Sequence, residues 1–142
     1  MRALIVSVLV ASWVAGSHAQ QPAVIDAALV KTIESRMVMP KGAQSLTAYQ
    51  RFYAVTEIET KPVVRGVFVS GDGAKVIMRY ADPVPGASGA HVMRSGRNVP
   101  SIMGGGCSVV ETVFDLAAMT LLMAEEPMPG VRTPTAFCHA EG

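Results

Sequence analysis

The stretch Ser101–Asp115 constrains the fold most. Gly104, Gly105 and Gly106 stand directly before Cys107, one of only two cysteines, and a run of β-forming residues follows. Glycines without a Cβ let the chain bend through left-handed conformations. The run from Cys107 to Phe114 then reads as a strand. Cys107, Val109, Glu111 and Val113 share one face, and Ser108, Val110, Thr112 and Phe114 share the other. Neither face is wholly polar, which predicts a strand inside a sheet rather than at its edge. Val99–Met103 just before it suits a short edge strand, where Pro100 is tolerated.

Whether Cys107 pairs with Cys138 depends on where the chain resides. Met1-Arg2 is a short basic start, Ala3–Gly16 is almost wholly apolar, and Ser17-His18-Ala19 places small residues at the two positions a signal peptidase reads. This is the layout of a secretory signal peptide over residues 1–19, with cleavage expected between Ala19 and Gln20. The apolar run is shorter than the ~20 residues a spanning helix needs, so no stable membrane anchor is expected after cleavage. The chain is expected to be exported, to the periplasm or beyond. Two cysteines in an oxidising compartment predict one disulfide, Cys107–Cys138, closing a separation of 31 positions.

In the 142-residue chain Lys and Arg number 12 and Asp and Glu 11, so losing Arg2 with the leader brings the charge balance to zero. A neutral chain without a basic stripe excludes nucleic acid as the expected partner. Half the residues are hydrophobic, enough for a core in one small domain over residues 20–142.

Gln21–Val38 reads as a helix that begins at Pro22. Ile25, Leu29, Ile33 and Met37 recur at helical spacing, although Asp26 and Arg36 fall near the stripe. Pro40 and Gly42 stop it. Ser45–Ala48 suits a short helical turn. Arg51–Thr60 and Val63–Ser70 read as strands, the second bulged or pinched at Gly66. Ser70-Gly71-Asp72-Gly73 reads as a hairpin turn, and Ala74–Tyr80 as a third strand. In that third strand Val76, Met78 and Tyr80 alternate with Lys75 and Arg79, and Ile77 is the exception. Residues 82–98, with Pro83, Pro85, Gly86, Gly89 and Gly96 and no periodicity, read as a long loop. Residues 116–126 are rich in Ala, Leu and Met and favour a helix capped by Asp115. The rival is a turn over Asp115–Met119 with a strand from Thr120. Residues 127–142 read as an irregular C-terminal arm that Cys138 would pin back. The expected fold is therefore α+β: an N-terminal helix packed on an antiparallel sheet of four to six strands, with one disulfide.

The chain resembles small exported bacterial proteins without an assigned activity. In these a Leu-x-x-Tyr-x-Arg-x-Tyr segment precedes a sheet, and a Gly-Gly-Cys strand is joined to a C-terminal cysteine. The matching residues are Leu46, Tyr49, Arg51 and Tyr53, then Gly105, Gly106, Cys107 and Cys138. The resemblance implies an exported disulfide-bonded domain and carries no catalytic residue.

Several residue groups are candidates for chemistry. His91, Arg94 and Arg97 form the densest group of potential cations. With the amides of Gly104, Gly105 and Gly106 they could bind an anion or another ligand. Cys107 could act as a nucleophile with His91 or His139 as base and Asn98 or Asp115 as orienter, which would make the chain a small hydrolase. Glu57 and Glu59, two apart on a strand, could serve acid–base work. Met37-x-Met39 and His91-x-Met93 have the spacing of soft copper sites. Tyr49, Phe52 and Tyr53 around Arg51 suggest core. A paired Cys107, methionine as ordinary core filler and solvated glutamates favour a non-catalytic module without a cofactor. Its expected partner is an exported protein or a small ligand, bound through the 82–98 loop and the glycine turn.

Overall fold

The computed structural model describes residues 23–122 and 135–139. The leader over 1–19, Pro22, Glu125-Glu126 and most of the 127–142 arm lie outside the described residues.

The main helix, α1, runs Ala27–Arg36, shorter than the span its apolar stripe predicts. Asp26 lies beside that stripe because it is the N-cap: its carboxylate accepts from Leu29 N at 2.8 Å. Val30 and Ile33 are buried, and Leu29 and Met37 pack partly against the core. Strands β1 (Gln50–Ile58) and β2 (Lys61–Val69) form a continuous antiparallel hairpin. Its two turn residues, Glu59 and Thr60, both have positive φ (49° and 67°), the twist that a tight hairpin demands even without glycine.

After β2 the chain departs from the alternating pattern. Residues 73–78 form a short helix, α2 (Gly73–Met78), instead of a third strand. Ala74 and Ile77, three apart, are buried, while Val76 and Met78 are exposed. The one residue that broke the alternation, Ile77, is thus the one that a helical period places inside. Strands β3 (Ala81–Pro83) and β4 (Ala90–Met93) follow, so residues 82–98 are not a structureless loop. Both are short, and β4 draws its ladder from β1. Their backbone pairing is tertiary and leaves no periodic trace in so few residues.

Gly106–Ser108 form a 3-10 turn, so β5 begins at Val109 rather than Cys107 and runs to Asp115. Val99–Met103 is not a strand. Over 116–122 the rival reading holds: Asp115 Oδ1 accepts from Ala117 N and Ala118 N, both at 2.9 Å, and caps a turn. The short strand β6 (Thr120–Leu121) follows. With Met119 at φ 54° the chain cannot continue as a helix there. Strand β7 (Ala136–Cys138) pairs with β5.

The fold is α+β, with the Cys107–Cys138 disulfide joining the entrance of β5 to the end of β7. Closing that loop contributes on the order of 3–4 kcal/mol in the chain-entropy picture. The sheet is mixed rather than wholly antiparallel. It has seven strands in the order β3-β4-β1-β2-β5-β6, with β7 also on β5, and β1–β4 is parallel. Both faces are covered. One packs Tyr53, Val64, Phe68, Val110 and Phe114 against α1. The other packs Phe52, Val67, Val69 and Val109 against Ala74 and Ile77 of α2 and against Val99. Burial on both faces explains why β5, lying between β2 and its two short partners, has no polar side.

Gly66 lies in an unbroken ladder, opposite Tyr53 and Thr112, so β2 carries no bulge. A Cβ there would lie 2.9 Å from Thr112 Cγ2, 3.1 Å from the Phe68 ring and 3.2 Å from the Tyr53 ring. The glycine is required by close packing. Gly66→Ala is expected to lower stability by about 1–3 kcal/mol in denaturant unfolding; unchanged stability would show that the three neighbours are free to move aside.

Candidate functional site

Basic and apolar side chains meet on the open side of the molecule where β4 ends. Arg94 N donates to Tyr80 O at 3.1 Å, which extends the β3–β4 hairpin by one step. Arg97 N then donates to Arg94 O at 3.0 Å and closes a turn through Gly96, whose φ is 78°. Arg94 Nε donates to Asp82 Oδ1 at 3.0 Å, and its Nη1 to Arg79 O at 3.2 Å. Arg97 lies over the Tyr80 ring, with Cζ 4.6 Å from the centroid, a cation–π contact. The side chains of this turn are thus held in place by partners that leave both guanidinium groups at the surface.

Two hollows flank this turn and share Met93 and Arg97 in their walls. One, of about 520 Å³, is lined by Val76, Ile77, Tyr80 and Pro100. The other, of about 400 Å³, is lined by Val24, Ile25, Ala54, Val55, Arg94 and Gly96. Around the first, Val76 is 61 % exposed and Tyr80 44 %. Apolar side chains at that exposure, beside a positioned cation, make this a candidate binding surface.

The other residues singled out by the sequence fall elsewhere. His91 is buried: its ring stacks on Phe52 at 5.2 Å, and Nε2 donates to Gln50 Oε1 at 2.9 Å. Burial, followed by the charge of Arg51, lowers its pKa from the ordinary 6.5, so it is a neutral core group. Gly104, Gly105 and Gly106 all have positive φ (73°, 97° and 52°) and carry the chain into the 3-10 turn beside the disulfide. They line neither hollow. Cys107 is held in the disulfide and is no resting nucleophile. Met93 is buried in the second core face, and Met37 and Met39 pack against the first. Glu57 and Glu59 do not share a strand face, because Glu59 belongs to the hairpin turn.

Two charged clusters are structural. Arg51 is buried and donates from Nε to Glu34 Oε1 at 2.6 Å, from Nη1 to Tyr49 O at 3.3 Å and from Nη2 to Ser88 O. Tyr53 OH also donates to Glu34 Oε1, at 2.8 Å. Burial, with the Glu34 charge, pushes that phenol far above its ordinary pKa. A shallow groove of about 610 Å³ between α1 and residues 86–88 runs past this cluster, but the guanidinium is already committed to protein acceptors. The second cluster was not anticipated from the sequence. Glu111 is 5 % exposed and accepts from Arg65 Nη2, 2.9 Å from both carboxylate oxygens. His139 Nε2 lies 2.9 Å from Glu111 Oε1 but is not aligned for a hydrogen bond. The available signal was a carboxylate on an interior strand, which requires a buried cation on a neighbour.

No protein-family model, curated protein or solved structure matches the chain.

The pH response of His91 has a definite sign. Its folded-state pKa lies below the unfolded one, so the unfolded chain takes up the proton first on acidification. Stability is then lost as pH falls below the ordinary value and on toward the folded one. Denaturation midpoints taken from about pH 8 to about pH 5 are expected to drop, and His91→Asn to flatten that drop. An identical slope in the variant would show that His91 does not titrate on unfolding.

Proposed function

We propose that the chain is an exported, disulfide-bonded module that binds a small apolar ligand or an exported protein without transforming it. The observation that carries this reading is the exposed apolar surface of Val76 and Tyr80 around a hollow whose rim holds Arg97 on the Tyr80 ring. An aromatic or aliphatic group would displace water from the Val76, Ile77 and Met93 side, while Arg97 would face an adjacent negative charge. Export is supported by the apolar leader with its small-residue cleavage pattern and by a disulfide of the kind that persists in oxidising compartments. Catalysis is disfavoured because Cys107 is bonded and the buried ionic groups, Arg51–Glu34 and Arg65–Glu111, are paired with one another.

Titration with 8-anilinonaphthalene-1-sulfonate, an aromatic anion, tests the binding surface. Saturable shifts of the Val76, Ile77 and Met93 methyls are expected, weakened about fivefold by Arg97→Ala. Saturable shifts confined to other methyls would remove this surface from consideration. For export, the intact mass of protein recovered from outside the cytoplasm is expected to begin at Gln20 and to show no alkylation of Cys107 or Cys138 until reduction. A mass that retains Met1–Ala19 would end the export reading.

A further inference from the structure

Strand β1 has one complete edge and one incomplete edge. On the β2 side every residue from Gln50 to Ile58 has a partner. On the other side β4 pairs only Arg51, Phe52 and Tyr53. Arg51 N donates to Gly89 O at 2.9 Å, which shows which residues aim their amides at that edge. Backbone groups alternate along a strand, so Tyr53, Val55 and Glu57 point the same way. Beyond Tyr53 the chain of β4 turns off through Gly96. Among the described residues no strand faces the N–H and C=O groups of Val55 and Glu57. An unpaired edge of this kind is a template for another strand.

The hollow of about 400 Å³ opens on this edge. Ala54 and Val55 line it from the strand, Val24 and Ile25 from one wall and Arg94–Arg97 from the other, which makes it a slot around an open edge. Its charges differ along its length. At the end beside Ala54 stands the Arg94–Arg97 turn, in which the Arg94 guanidinium is paired with Asp82 and the Arg79 carbonyl, while that of Arg97 lies over the Tyr80 ring with no carboxylate partner among the described residues. The amides of Ser95 and Gly96 donate to no acceptor among the described residues, and a Cβ on Gly96 would meet nothing within 4 Å. At the far end stand Glu57 and Glu59, both exposed.

We propose that an extended peptide with a free C-terminal carboxylate adds as a strand to the Val55–Ile58 edge, antiparallel to β1. Its carboxylate lies at the Arg94–Arg97 turn and a basic residue lies near Glu57 and Glu59. The direction follows from the two ends: the open amides of Ser95 and Gly96, with Arg97 as the guanidinium of the turn not paired to a carboxylate, select the negative terminus, and the glutamates select a positive group about four residues earlier at strand rise. Ladder hydrogen bonds from Val55 and Glu57 supply affinity independent of sequence, and the two charged ends supply orientation. The inference rests on the reading of the chain as a binding module and names its ligand class.

The test uses the intact protein and two pools of N-acetylated heptapeptides with lysine at the third position and mixed Val, Thr and Ile elsewhere. One pool ends in a free carboxylate and the other in an amide. The acid pool is expected to slow hydrogen exchange at the Val55 and Glu57 amides by about tenfold, and the amide pool to bind about tenfold more weakly. Arg97→Ala and Glu57→Lys should each weaken the acid pool, and neither residue lies in the core. Equal binding of both pools would overturn the carboxylate assignment. Amides of Val55 and Glu57 that stay unprotected with either pool would overturn the strand addition. Amides already protected in the free protein would overturn it too, by showing that the chain covers its own edge. Should the peptides fail while the aromatic anion still shifts Val76 and Met93, the binding-module reading stands and only the peptide is lost.

Discussion

The guanidinium of Arg51 is the contact on which the arrangement of the molecule turns. It lies on the helix-facing side of the sheet with its three nitrogens committed to three parts of the chain: Glu34 in α1, the carbonyl of Tyr49 ahead of β1, and the carbonyl of Ser88 ahead of β4. A charge so buried is tolerated only when such acceptors surround it, and removing one partner of such a pair costs about 3–5 kcal/mol. Gly89, at φ 72°, brings the backbone to where a Cβ would lie 3.3 Å from Arg51 Nη1. The same approach lets Arg51 N reach Gly89 O. One side chain thereby sets how the helix, the strand and the 84–89 connection meet.

The surface features follow from that placement. Because the chain is held at Ser88 and Gly89, β4 enters the sheet parallel to β1 and is long enough to cover only three of its residues. The β3–β4 hairpin then sends the chain back through the Arg94–Arg97 turn, against Tyr80 and the outer side of α2. The hollow lined by Ala54, Val55 and Met93 is what remains when a short parallel strand stops before its longer neighbour does. At the opposite side of the sheet the disulfide does comparable work for β7, fastening a three-residue strand that could not hold by its ladder alone.

Much of the fold was legible residue by residue. The strand character of β1 and β2, the interior character of β5, the α1 stripe and the cysteine pairing follow from local pattern, because each depends on periodic burial or on the small number of cysteines; that β1 pairs with β2, rather than β2 with residues 74–80 across Ser70–Gly73, was not legible. What was not legible depends on neighbours distant in sequence. Ala74–Tyr80 alternates like a strand, and only packing of Ala74 and Ile77 under the sheet selects the helix. Residues 81–93 lack any period, and become strands because β1 offers an edge. Among the candidate site residues, Arg94 and Arg97 lie in an exposed turn within the span read from sequence as a long loop. His91, two positions from Met93 on the same strand, is instead turned into the core against Phe52.

The sequence by itself determined the strand character of β1, β2 and β5, the α+β class and the cysteines available to pair, since periodicity and composition are local properties of the chain. Only the tertiary structure decided that β4 runs parallel to β1, that Arg65 and His139 converge on Glu111, and that Arg97 lies over the Tyr80 ring. Those outcomes depend on which backbone edges and buried charges find partners across the sheet. Such pairings are chosen by the three-dimensional satisfaction of hydrogen bonds and charge, and no window of sequence contains both partners.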